Sequence, residues 1–333
     1  MKLFPAMGES IRLAAFVATA AASLTACGGA TPVASSPSTP FQTTRIGSWM
    51  TPAATKIPNL LYVSNATNVT VYNYRDGSGI TQVGTLTGFA SPQGLCEDKA
   101  GDVWVSDYGS RTMFEYAHGG TSPIEKITSK GGYPYACAVD NATGNLAVSY
   151  WHPNAHYRDY AEVVVYPSGQ SYGPYTGFYR AYFLAYDNHS NLFTTGSECG
   201  YSECYRVQPY VPVFELPAGE TQFVQIAHIK RQRDISGIVW ANPTILIGTG
   251  KSGATGTGAV KVQFTGQRAK VVGSVAFAQT FKTYGFTLRA HLAIVPDFAS
   301  NAVQIYKLSD GSLVSSFTQG LSQPFSAVVS QRK

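Results

Sequence analysis

The sequence predicts an all-β fold, a six-bladed β-propeller of four-stranded antiparallel blades, on three observations. Gly and Pro number 33 and 18, Tyr and Phe number 21 and 17, and charged residues are only 13% of the 333. Short strands joined by turns have this composition, whereas helical bundles, coiled coils and classical nucleic-acid binders do not. A unit of turn, apolar strand, turn and second apolar strand recurs, its most regular strand starting at 61, 103, 146, 192, 245 and 292. The series also opens on a second strand and ends on a first strand, the arrangement a closed ring needs.

A leader and a tether precede the repeats. Lys2, Glu9 and Arg12 are followed by residues 13–24, an uncharged apolar stretch too short to span a bilayer and of the length of a signal-peptide core. It ends in Leu24-Thr25-Ala26-Cys27-Gly28, which resembles the lipobox of bacterial lipoproteins. The resemblance implies that residues 1–26 are a signal peptide and that Cys27 is lipidated and becomes the mature N-terminus. It also implies an extracytoplasmic protein of the cell envelope, held to a membrane by its lipid anchor; Gly28, not being Asp, fits an outer-membrane destination where one exists. Residues 27–57, rich in Pro, Ser and Thr and without hydrophobic period, are expected to form a flexible tether. Loss of the leader lowers the formal net charge of +5 by one. The densest basic run is 230–233, so nucleic acid is not an expected partner.

The second unit is the clearest copy: Ser91-Pro92-Gln93-Gly94-Leu95-Cys96-Glu97-Asp98, then Gly101-Asp102-Val103-Trp104-Val105-Ser106-Asp107, then Met113-Phe114-Glu115-Tyr116. The third follows at 133–140, 144–149 and 163–169, and the fourth at 185–187, 191–196 and 213–219. Weaker copies pair 245–248 with 260–264 and 292–295 with 303–308, and the first pairs 61–64 with 69–72. Asp98, Asp140 and Asp187 recur once per unit, as expected of a side chain that bonds its own turn. A lone sheet of this kind leaves both faces apolar, and stacking the sheets in a ring buries them. Residues 321–329 repeat the first-strand pattern with no second strand after it, and are expected to complete the N-terminal blade and remove two open edges. Residues 58–333 thus read as a six-bladed propeller. The units resemble NHL-type repeats, strongly in the second unit and weakly in the fifth and sixth. That resemblance implies an architecture more than a function, since such propellers include enzymes, ligand binders and interaction scaffolds.

Ligand contact is expected on the face formed by the loops between second and third strands and by the blade-to-blade connections. Three consecutive units carry long loops there, at 150–160, 198–210 and 249–256, and long loops in a compact fold are commonly functional. The candidate binding residues are Trp151, His152, Tyr157 and Arg158 of the first such loop, Tyr135, Tyr179 and Arg180 of the blade connections, and Arg111. Aromatic rings offer contact area at low entropic cost, and Arg stacks on rings or pairs with carboxylates. The same aromatics also suit packing between blades or plugging of the channel. His152 and His156 lie four apart near Asp159, but Pro153 opposes the helix that would bring them to one ion, so neither a metal site nor a cofactor is expected.

Cys199 and Cys204 enclose four residues and are expected to form a disulfide in an exported chain. Cys96 and Cys137 differ by one position in the repeat register, which puts them on opposite sides of neighbouring strands and reads as two small core residues. Together these features indicate a surface-tethered module that binds a protein, peptide or carbohydrate and performs no catalysis. The alternative is a metal-assisted hydrolase, since the chain resembles the six-bladed sugar lactonases in blade number. That family sets a carboxylate, an Asn and an Asp around a divalent ion, but the Glu-Gly-Pro expected early in the first blade is missing.

Overall fold

The computed structural model describes residues 47–152, 160–172, 180–197, 210–230, 234–250, 257–265 and 268–333. Alternating small and branched residues give short twisted strands, and the turns between them set the order a, b, c, d from the axis outward. Blade 1 has Ser326–Gln331 as strand a, then Asn59–Ser64, Val69–Arg75 and Ser78–Leu86. Blade 2 is Pro92–Glu97, Val103–Asp107, Thr112–Tyr116 and Pro123–Thr128, and blade 3 is Tyr133–Val139, Leu146–His152, Tyr160–Tyr166 and Gln170–Tyr172. Blade 4 runs Arg180–Tyr186, Leu192–Ser197, Tyr210–Leu216 and Val224–Lys230; blade 5 runs Asp234–Ala241, Thr244–Gly250, Thr257–Thr265 and Arg268–Phe277. Blade 6 has Thr287–Arg289, Leu292–Asp297, Ala302–Lys307 and Leu313–Phe317. All six sheets are antiparallel, so the molecule is the expected six-bladed propeller. The a strands start, and the b strands end, on what we term the loop face; the a–b and c–d turns make the opposite, turn face.

The ring closes as the terminal repeats predict. Ser326–Gln331 pairs antiparallel with Asn59–Ser64, setting Val329 opposite Leu61 and Ser326 opposite Ser64. The folded part starts before residue 58, however, which corrects the extent of the expected tether. Trp49–Met50 adds a fifth strand to the outer edge of blade 1, opposite Thr85 and Gly84, and Ala54–Lys56 forms a 3-10 turn on the turn face. His118 holds that turn in place: its Nε2 lies 2.8 Å from the Ile57 carbonyl oxygen and its Nδ1 2.6 Å from the Ser330 hydroxyl. Edge strands are the vulnerable part of any sheet, and here Trp49–Met50 and Ser326–Gln331 cover two edges of blade 1.

Between blades the packing turns on one position. The fourth core residue of each b strand is Ser64, Ser106, Ser149, Thr195, Gly248 or Val295, and all are buried. All but Val295 are small, and at Ser64, Ser149 and Gly248 the next blade lies directly against them. The Ser64 hydroxyl donates to the Gln93 carbonyl at 2.5 Å and that of Ser149 to the Tyr182 carbonyl at 2.9 Å. At Gly248 a β-carbon would collide with Ser236 and Phe286. Buried aliphatic and aromatic residues fill the remaining inter-blade layers, among them Leu60, Tyr62, Val103 and Val105 between blades 1 and 2.

Cys96 and Cys137 are joined in a disulfide, with Cα atoms 5.7 Å apart, which corrects their reading as free core residues. Opposite sides of neighbouring strands are what the bond requires: in a ring, each blade turns one face to the blade before it and the other to the blade after. The strands approach closely here, since a β-carbon on Gly94 would lie 2.6 Å from the Ala136 Cα. Cys199 and Cys204 lie outside the described residues, as do Cys27 and the leader.

Candidate functional site

The end of a b strand, the start of a c strand and the start of the next a strand converge at the loop face of the blade 2–blade 3 junction. Tyr108 follows strand b of blade 2 and stacks at 4.8 Å on Tyr133, the first residue of blade 3, and at 5.7 Å on Trp151, near the end of that blade's b strand. Arg111 is held at a positive φ of 59° in the b–c turn of blade 2, and its guanidinium lies 4.3 Å from the Tyr133 ring centroid and donates to the Tyr133 hydroxyl. Beside Trp151, His152 Nε2 meets the Glu162 carboxylate at 2.8 Å, and Gly132 leaves room for the imidazole where a β-carbon would sit 2.6 Å from Nε2. The result is a cation, three stacked rings and an imidazole–carboxylate pair in one row across the junction. Trp151 and His152 are strand residues paired with Ala161 and Tyr160, not part of a loop as the sequence suggested. The segment that continues from them, with Tyr157 and Arg158, lies outside the described residues, as does Tyr179; Arg180 begins strand a of blade 4.

Tyr135 serves the axis instead. Its ring packs edge-on against Phe183 and Phe325, both at 5.5 Å, and Phe325 stacks on Tyr284 at 4.5 Å. Tyr135, Phe183, Tyr284 and Phe325 therefore form an aromatic plug in the loop-face end of the channel, the packing role that the sequence left as an alternative. Tyr284 and Phe325 carry no repeat-wide signature that would have marked them. Below the plug a cavity of about 560 Å³ runs to the a–b turns, walled by Gly94, Ala136, Ile238, Gly285 and Ser326 and reaching Glu97, Asp140 and Asp187 at the turn face. The cavity walls are inner edge strands, whose inward backbone groups have no strand partner.

Carboxylates concentrate on the turn face. Asp98 accepts from the Asp102 backbone N–H at 2.7 Å, Asp140 from Ala142 at 2.9 Å, and Asp187 from His189 and Asn191 at 2.8 and 2.9 Å, so these three perform the turn role expected of them. Oxygens of Asp98, Asp102 and Glu115 lie within 4.8 Å of one another in blade 2. Burial, together with the neighbouring Asp98, Glu125 and Asp102 charges, pushes Glu115 up to about 7. Burial likewise pushes Glu97 up to about 7, against the opposing hydrogen bond from the Gln331 N–H. The trio lies off the axis, and among the described residues no carboxylate lines the middle of the channel.

No sequence family matches the chain, and no curated protein matches it in sequence. Among solved structures, it is similar to a chain of the nidogen/laminin complex, with a TM-score of 0.61 and 12% identity over 83% of this chain and 99% of that one. A protein of unknown function from Bacteroides caccae gives 0.56 and 11% over 83% of this chain and 100% of its own. A gluconolactonase from Xanthomonas campestris gives 0.53 and 13% over 83% and 88%. At such identities the likeness establishes a shared propeller fold and leaves function to the site.

Proposed function

We propose that the chain is a lipid-anchored, extracytoplasmic propeller that binds a ligand on its loop face without transforming it. One observation carries this reading: the row Arg111, Tyr133, Tyr108, Trp151, His152 and Glu162 across the blade 2–blade 3 junction. Stacked rings and a guanidinium provide a rigid, low-entropy contact surface, on the face from which the long inter-strand segments of blades 3 to 5 spring. The Cys96–Cys137 disulfide supports an oxidising compartment outside the cytoplasm, in keeping with the lipobox-like Leu24–Cys27 segment and its anchoring role. The lactonase alternative draws on a likeness of fold to a gluconolactonase; the grouped carboxylates Asp98, Asp102 and Glu115 lie away from the channel where that chemistry would be expected.

Glycan and peptide arrays probed with the full chain test the binding role. The double variant Tyr108→Ala/Trp151→Ala is expected to lose the interactions that the parent shows while keeping its thermal unfolding transition; unchanged array binding overturns the assignment. Metabolic labelling with a fatty acid tests the anchor, Cys27→Ser being expected to remove the label and release the protein from membranes.

A further inference from the structure

We propose that the loop face accepts a linear acidic carbohydrate, a chain of sugar rings bearing carboxylates, laid across the wheel from the blade 2–blade 3 junction to the blade 5–blade 6 junction. This rests on the reading of that face as the binding face and names its ligand class. Of the carboxylate residues that the described strands bring to the loop face, Asp234 begins strand a of blade 5, and the other three are engaged. Asp107, fully buried, accepts from the Ala90 and Ser91 N–H groups; Asp297, also buried, accepts from Phe281, Lys282 and Ala299 N–H groups and from the Ser300 hydroxyl; Glu162 faces His152.

The cations of the same face are differently placed. Arg111 is exposed and stacked on Tyr133, and Lys130 is exposed in the next blade connection. On the far side of the ring, Lys282 Nζ stands 5.1 Å from the Tyr284 ring and 4.9 Å from that of Phe298. None of the three is paired with a carboxylate among the described residues. Phe281, beside Lys282, is 53% exposed, an apolar ring with no packing role to explain it. Blades 2–3 and 5–6 stand opposite each other in a six-membered ring, so one ligand meeting both cation groups must be extended. Between them lie the half-buried rings of Tyr135 and Tyr284. Rings flanked by unneutralised cations suit a chain that alternates flat apolar sugar faces with carboxylates, the guanidinium being able to engage a carboxylate through two donors. Residues 111, 130 and 282 are far apart in the sequence, and no single basic run contains them.

The experiment titrates the full chain in detergent with oligogalacturonate, with its methyl ester as a neutral equivalent, and with polyglutamate. The acidic sugar is expected to bind, to weaken steeply as salt screens the charges, and to lose roughly 2- to 5-fold for each of Arg111→Gln, Lys130→Gln and Lys282→Gln. Among the described residues Lys130 makes no side-chain hydrogen bond or ring contact, so its variant separates binding from folding. No binding of oligogalacturonate overturns the inference. Equal binding of the ester overturns the charge assignment and leaves a neutral-sugar module standing. Binding of polyglutamate alone, through the same residues, overturns the carbohydrate class in favour of an acidic peptide. Sugar binding that ignores Arg111, Lys130, Lys282, Tyr108 and Trp151 alike overturns both this inference and the reading of the loop face.

Discussion

Glu97 shows how a single side chain links the ring closure to pH. Its carboxylate lies at the turn-face mouth of the cavity and accepts the Gln331 N–H at 2.6 Å, while burial holds its pKa near 7 against 4.5 for a free carboxyl. The folded state thus binds the proton more tightly than the unfolded one. That contribution is complete below about 4.5 and is lost as pH rises through 7. Glu97→Gln keeps an acceptor for Gln331 and removes the charge. It is expected to match the parent at pH 4 and to be more stable at pH 8 by about 1–2 kcal/mol, after discounting for partial exposure, or a Tm higher by about 2–4 °C. A melt at both pH values checks this, and a lower Tm at pH 8 would contradict it. Glu115, pushed the same way by burial and by three neighbouring carboxylates, adds the same sign of dependence.

At the scale of strands, the disulfide ties the innermost strands of the two blades whose outer ends carry the aromatic row. Cys96 and Cys137 are 41 residues apart, and closing a loop of that length restricts the unfolded chain by about 4 kcal/mol in the chain-entropy view. Reductant is therefore expected to lower the Tm of the parent and leave that of Cys96→Ser/Cys137→Ser unchanged, calorimetry with and without reductant being the measurement. The b strands tell a related story. A small fourth residue lets the following a strand come close: Ser64 and Ser149 bond its carbonyls, and Gly248 leaves no room for a β-carbon.

For the whole molecule, stability depends on closure. Strand Ser326–Gln331 supplies blade 1 with its inner strand, and His118 bonds both that strand and the segment before Asn59. Removing residues 325–333 would expose the inner edge of blade 1 and strip Phe325 from the plug. Such a truncation is expected to abolish the cooperative unfolding transition, not merely shift it, as followed by near-UV circular dichroism and hydrogen exchange. A sharp transition in the truncated chain would mean that five complete blades suffice.

Blade number, strand order and the closing strand were legible in the residues, because a blade is a local unit whose turns and alternating apolar residues fall within some 45 positions of one another. The turn role of Asp98, Asp140 and Asp187 was legible for the same reason. The start of the folded part was not: Trp49–Met50 sits in a Pro- and Thr-rich stretch and becomes a strand only because the edge of blade 1 offers it a partner. The bond between Cys96 and Cys137, the stacking of Tyr108 on Tyr133 and Trp151, and the gathering of Arg111, Lys130 and Lys282 on one face were decided by tertiary structure alone. Each joins residues of different blades, and which faces meet across a ring is set by how sheets stack, a property no single repeat encodes.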